Sequence, residues 1–67
     1  MSYLKLRGKI REKFGTQAAF AAAMEMSETT LSAKLNAKTE WNRPEIEEAC
    51  RLLEIPLAEA HTYFFTL

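Results

Sequence analysis

Apolar residues that recur every three or four positions, in runs cut short by glycine, proline and hydroxyl residues, set the first limit on how this chain can fold. Leu6, Ile10 and Phe14 stand four apart and read as the buried stripe of a helix from about Tyr3 to Phe14, stopped by Gly15. The alternation of Leu4 and Leu6 with Lys5 and Arg7 is also a strand pattern, but Gly8 breaks it and no turn with a partner strand follows. Thr16 suits the N-cap of a second helix, "QAAFAAAME", in which Phe20 and Met24 face inward and small alanines let a neighbouring helix come close. Ser27 caps a third helix. Glu28 lies in its first turn, where a carboxylate suits the helix dipole, and Leu31 and Leu35 turn inward. "NAKTEW" makes a loop, after which Asn42 caps a fourth helix with Pro44 in its first turn and Glu45 at the capping-box position. Ile46, Ala49, Cys50 and Leu53 give that helix its apolar face. Pro56 separates it from a short last helix, about Leu57 to Phe64, which ends in the aromatic run Tyr63, Phe64, Phe65. Five short helices and no strand predict an all-α fold.

With 67 residues there is room for one domain, and a chain this short buries only about 60% of the surface its unfolded form exposes. An apolar share of 48% and a charged share of 27% argue against disorder and against a membrane span. No apolar run approaches the roughly 18 residues that a transmembrane helix needs, and the N-terminus lacks the layout of a secretory signal. The expected address is the cytoplasm. The single cysteine, Cys50, fits a reducing compartment and reads as a small core residue.

The formal net charge is zero, yet residues 1–15 carry +4 and residues 40–67 carry −4, so the charge is split along the chain. A zero total says little about a polyanionic partner, because the local patch decides. On the first helix, Lys5, Lys9 and Lys13 fall on one flank of the apolar stripe, with Arg7 and Arg11 on the other. They form either a solvated charged face or a functional basic rim.

The stretch "MSETTLSAKLN" is the chain's oddity, since it places Ser27, Thr29, Thr30 and Ser32 in or beside a helix. Hydroxyl side chains compete with the backbone for hydrogen bonds and are poor helix formers, so helix stability alone does not account for them. Residues 16–38 contain two helices of about eight residues joined by a turn centred on Glu25 and Met26, the dimensions of a helix-turn-helix. Such a unit requires a small residue where the second helix crosses the first, and a capped second helix with an outer face free to project. Ala21 and Ser27 meet these demands.

At this point the sequence resembles a known family. "TQAAFAAAMEMSETTLSAKLNAK" aligns without gaps onto the helix-turn-helix of phage repressor and Cro proteins, the lambda-repressor-like or XRE class. Gln17, Ala18, Ala21, Phe20, Met24, Ser27, Leu31 and the closing "NAK" carry the match. The nearest in look are small phage-derived regulators of Gram-positive bacteria that begin "KLRGKI". The resemblance implies a compact five-helix domain that binds double-stranded operator DNA as a homodimer and regulates transcription. By position, it implies that Gln17 bonds phosphate and that Glu28, Thr29, Ser32 and Ala33 read base edges in the major groove. Thr30 and Lys34 border that face, Ser27 caps it, and Asn36 and Lys38 hold the DNA backbone. For Gln17 and Asn36 the competing readings are a polar helix start and a helix C-cap, for Glu28 a plain acid of the helix's first turn, and for Lys34 a stem laid over the Leu35 side of the core.

Two departures from the family carry structural expectations. Glu25 and Ala37 stand where glycine is usual, so either each turn accepts roughly 1 kcal/mol of left-handed strain or its shape differs.

Other chemistries find little support. One histidine and one cysteine are too few for a structural zinc site, and there is no catalytic triad or phosphate-binding glycine loop. The chain therefore reads as non-enzymatic, without cofactor or small-molecule ligand. The rival reading is a protein-interaction or dimerisation module that uses Tyr63, Phe64 and Phe65 together with the split charge. The bland alternative is that one or two of these rings close the core.

Overall fold

Helix caps divide the chain where hydroxyl and amide side chains allow. In the computed structural model, which describes residues 3–65, α1 (Leu4–Phe14), α2 (Gln17–Ala23), α3 (Glu28–Leu35) and α4 (Arg43–Leu53) are followed by a single 3-10 turn, Leu57–Glu59, and by α5 (Ala60–Phe64). Thr16 accepts the backbone N–H of Ala19, and Ser27 accepts that of Thr30, each filling one of the donors left open at a helix start. Asn42 and Glu45 form a complete capping box. The described residues contain no strand, so the fold is all-α as expected. The last helix is shorter than expected, because its first turn is wound as 3-10.

The core gathers residues from every helix. Leu6 and Ile10 of α1, Phe20 and Ala21 of α2, Leu31 and Leu35 of α3, Ala49, Cys50 and Leu53 of α4, and Phe64 of α5 are all buried. Phe14 completes the α1 stripe by meeting Phe20 edge to face at 5.2 Å between ring centres. Burial also raises the Cys50 thiol above its ordinary pKa, as suits a core residue.

Three helices end in the same way. After α2, α3 and α4 the chain passes through left-handed conformations at Glu25 (φ 59°), Ala37 (φ 61°) and Glu54 (φ 59°). At each, the next residue's N–H reaches back to a carbonyl five positions earlier: Met26 to Ala21, Lys38 to Ala33 and Ile55 to Cys50. This is the Schellman arrangement, normally built on glycine. Both turns flanking α3 therefore keep the left-handed geometry and accept the strain of a Cβ. Tyr3, expected as the first helical residue, is also left-handed (φ 58°) and buried just ahead of α1.

Candidate functional site

Packing α2 across α3 leaves the outer side of α3 uncovered. A shallow depression of about 550 Å³ lies there, lined by Gln17, Glu28, Thr29, Ser32, Ala33, Asn36 and Lys38. These are seven of the ten residues singled out from the sequence for nucleic-acid contact. The N-cap of α2 brings Gln17 to one edge of the depression, and the left-handed turn at Ala37 brings Lys38 to the other.

The remaining three residues go elsewhere. Ser27 and Thr30 form a closed local unit: the Ser27 hydroxyl accepts the Thr30 backbone N–H at 3.1 Å and donates to the Thr30 hydroxyl at 2.9 Å. Both hydroxyls are explained by the cap and lie outside the depression. Lys34 follows the second of its two readings. Implied by the resemblance to border the outward face, it is instead turned inward and is only 4% exposed. Its ammonium meets the Glu45 carboxylate at 2.9 Å, donates to the Glu40 carbonyl at 3.1 Å and lies 5.8 Å from the centre of the Trp41 ring. A lysine at the edge of an apolar stripe buries its stem, and here the acid waiting on α4 lets the charge follow it. Burial works to raise the Glu45 carboxyl, but hydrogen bonds from Lys34 and from the Asn42 backbone, with the Lys34 charge, outweigh it and hold the pKa below the usual value.

Of the four hydroxyls in the opening of α3, Ser32 accepts a bond from the Asn36 amide at 3.3 Å, which leaves Thr29 with no side-chain hydrogen bond among the described residues. Thr29 is exposed and points to the depression. Glu28, also exposed, adds a negative charge at the N-terminal end of the same face.

Positive charge reaches this side from α1. Lys9, Lys13, Arg43 and Arg51 are paired with Glu12, Glu54, Glu47 and Glu48, as Lys34 is with Glu45. Arg7 donates from its guanidinium to the end of α3, to the Leu35 carbonyl at 2.7 Å and the Asn36 side-chain oxygen at 2.9 Å. Arg11 makes no ion pair among the described residues and lines a neighbouring trough that shares Gln17 and Glu28 with the depression. Arg7 and Arg11 were visible in the sequence as one flank of α1, but their nearness to α3 was not.

The aromatic run divides as well. Phe64 is 3% exposed and meets Trp41 edge to face at 5.0 Å, so it closes the core and is not available as a dimer contact. Tyr63 is half-buried, and only Phe65, 70% exposed, lies open, with Leu57 61% exposed on the preceding turn.

Over residues 1–67 the chain matches the family described as Protein of unknown function (DUF739). The chain belongs to that family. It is also similar to a solved structure, the solution structure of the modulator of repression (MOR) of the temperate bacteriophage TP901-1 from Lactococcus lactis. The two share 48% sequence identity and superpose with a TM-score of 0.86, over 97% of this chain and 88% of that one. A comparison with curated protein sequences finds no match. The fold of this chain is thus that of a small phage regulatory protein. No helix among the described residues is long and apolar enough to cross a membrane.

Proposed function

We propose that this chain is a non-enzymatic phage or prophage regulator that modulates repression by binding operator DNA, with residues 16–38 as its helix-turn-helix and α3 as the recognition helix. One observation carries the reading: seven residues expected from the sequence to touch DNA line a single depression along α3, with Lys38 at its edge. Short side chains there let the helix backbone lie deep in a major groove, which a coat of Glu and Lys would prevent. The likeness to a modulator of repression supports a regulatory role. In this reading Thr29, Ser32 and Ala33 meet base edges, Gln17, Asn36 and Lys38 hold phosphates, and Arg7 and Arg11 add attraction from the side. Glu28 accepts from a cytosine amino group and disfavours other bases at that position.

A second reading, contact of the same face with a repressor protein, is favoured by Glu28 and by the inward turn of Lys34, which together leave the exposed face of α3 without a cation of its own. Two variants separate the readings when binding is measured against DNA from the protein's own promoter region. Thr29→Ala should relax base preference, with a loss of about 1–3 kcal/mol confined to the preferred sequence, whereas Lys38→Ala should weaken all sequences alike. If neither change alters DNA binding and both weaken capture of the repressor, the second reading holds.

A further inference from the structure

At the C-terminal end of α3, three side chains form a chain of hydrogen bonds that all run one way. Arg7 donates to the Asn36 side-chain oxygen at 2.9 Å, and the Asn36 amide nitrogen donates to the Ser32 hydroxyl at 3.3 Å. A guanidinium can only donate, so the atom of the Asn36 amide that faces it has to be the oxygen, which turns the nitrogen towards Ser32. The second Arg7 bond, to the Leu35 carbonyl at 2.7 Å, holds the guanidinium in place. Asn36 is thus oriented by a residue 29 positions earlier in the sequence.

The consequence falls on Ser32, which is half-buried and lines the depression on α3. A serine hydroxyl has one proton to donate and two lone pairs to accept with. One lone pair is taken by Asn36. The proton has no acceptor among the described residues, although a helical serine commonly gives it to the carbonyl four positions back. A chain of hydrogen bonds that starts at a cation polarises each member in turn, so the Ser32 O–H becomes the better donor and its remaining lone pair the poorer acceptor. Thr29 differs, since its hydroxyl has no side-chain partner among the described residues and is free to turn either way. We propose that Arg7 and Asn36 are positioning residues that set Ser32 as a hydrogen-bond donor, so that it selects a base edge offering an acceptor (purine N7, guanine O6 or thymine O4) over one offering an amino group. This rests on the reading of α3 as the recognition helix. The second N–H of Asn36 remains for a phosphate.

The test uses the full chain and duplexes from the protein's own promoter region in which each base pair is changed in turn, with affinities taken as ratios so that losses shared by all sequences cancel. Ser32→Ala identifies the pair concerned, as the one whose preference it flattens. At that pair, base analogues lacking the major-groove acceptor should weaken the unaltered protein about fivefold, and analogues lacking the amino group should not. Asn36→Asp is the decisive variant. It keeps an oxygen for Arg7 but has no N–H for Ser32, which then donates to the carboxylate and turns a lone pair outward. The preference at this pair should pass from acceptor to amino group, while the preference at the pair that responds to Thr29→Ala stays. A purely structural role for Asn36 would not exchange one preference for the other. Arg7→Met frees the amide to turn, and should flatten the preference at the same pair with no further effect when combined with Ser32→Ala. The proposal is overturned if Ser32→Ala flattens no pair although DNA is bound with sequence preference, if loss of the amino group is what weakens binding at that pair, or if Asn36→Asp and Arg7→Met leave the preference as it was. Those results leave the DNA reading intact. If no duplex is bound at all, that reading falls and this one with it.

Discussion

At the scale of single residues, the Lys34–Glu45 pair shows why type and spacing do not decide what a side chain does. Lys34 has the spacing of a residue bordering the α3 face, yet its charge is satisfied inside by Glu45, the Glu40 carbonyl and Trp41. Glu45→Ala leaves that ammonium buried without its carboxylate, and should destabilise the protein by about 3 kcal/mol in thermal melts. Lys34→Met keeps the buried stem and should cost under about 1.5 kcal/mol, while leaving the salt dependence of DNA binding unchanged, unlike the loss of a phosphate contact. The pair also sets an acid limit. The Glu45 carboxyl is held below its ordinary pKa in the folded state. Its contribution is therefore fully present above the unfolded value of about 4.3 and is lost as pH falls through the lower folded value. Acid titration of the melting midpoint should show a drop below roughly pH 4 that Glu45→Gln flattens. The strained turns invite a change of the opposite sign. Glu25→Gly and Ala37→Gly should each stabilise by about 0.5 kcal/mol, the relief of left-handed strain less the added freedom of the unfolded chain, or roughly 2–4 °C in midpoint.

At the scale of elements, α3 is held at its start by a local unit and at its end by a group from elsewhere in the sequence. The Ser27–Thr30 unit closes its start, and Arg7 of α1 takes the Leu35 carbonyl and the Asn36 side chain at its end. Arg7→Met should therefore loosen the last turn of α3, seen as faster amide exchange at Leu35 and Asn36, with a loss of about 1–2 kcal/mol. The elements themselves were legible in the sequence because their signals are local. Thr16, Ser27 and Asn42 cap helices through their own chemistry, and Leu6–Ile10 or Leu31–Leu35 mark one face through spacing alone. Even the left-handed turns at Glu25 and Ala37 were signalled, as glycine positions of the resembling family. What escaped depends on distant partners. Lys34 had two readings from the sequence, and the acid that decides between them lies 11 positions away on another helix, while Arg7 finds its acceptors 28 and 29 positions on. Consecutive aromatics on a helix point about 100° apart, so Tyr63, Phe64 and Phe65 could not all face one way. Which one enters the core is settled by Trp41, to which Phe64 packs.

For the whole molecule, the split charge becomes a matter of which cations remain. Pairing with acids absorbs much of the positive charge, including Lys13 with Glu54 across the two halves, while Arg11 and Lys38 make no ion pair among the described residues and stay close to the α3 side. On the proposed function, a body of 27 × 22 × 21 Å has the dimensions for two copies side by side to place α3 of each at half-sites roughly 34 Å apart. Of the exposed large apolar side chains Leu4, Leu57 and Phe65, the proposed dimer would use Phe65 and Leu57, which lie at the C-terminal end. Phe65→Ser should then lower the dimer fraction in sedimentation without changing the melt of the monomer. Phe64→Ala should instead cost about 3–5 kcal/mol of folding stability. The most direct check of the account is the affinity for promoter DNA, read by fluorescence anisotropy across a series of salt concentrations. If Arg7, Arg11 and Lys38 each neutralise one phosphate, the logarithm of affinity should fall against the logarithm of salt with a slope of roughly −3 per protomer, and Arg11→Ala should reduce that slope by about one. An affinity that does not change with salt, or no binding even at the lowest salt, would contradict it.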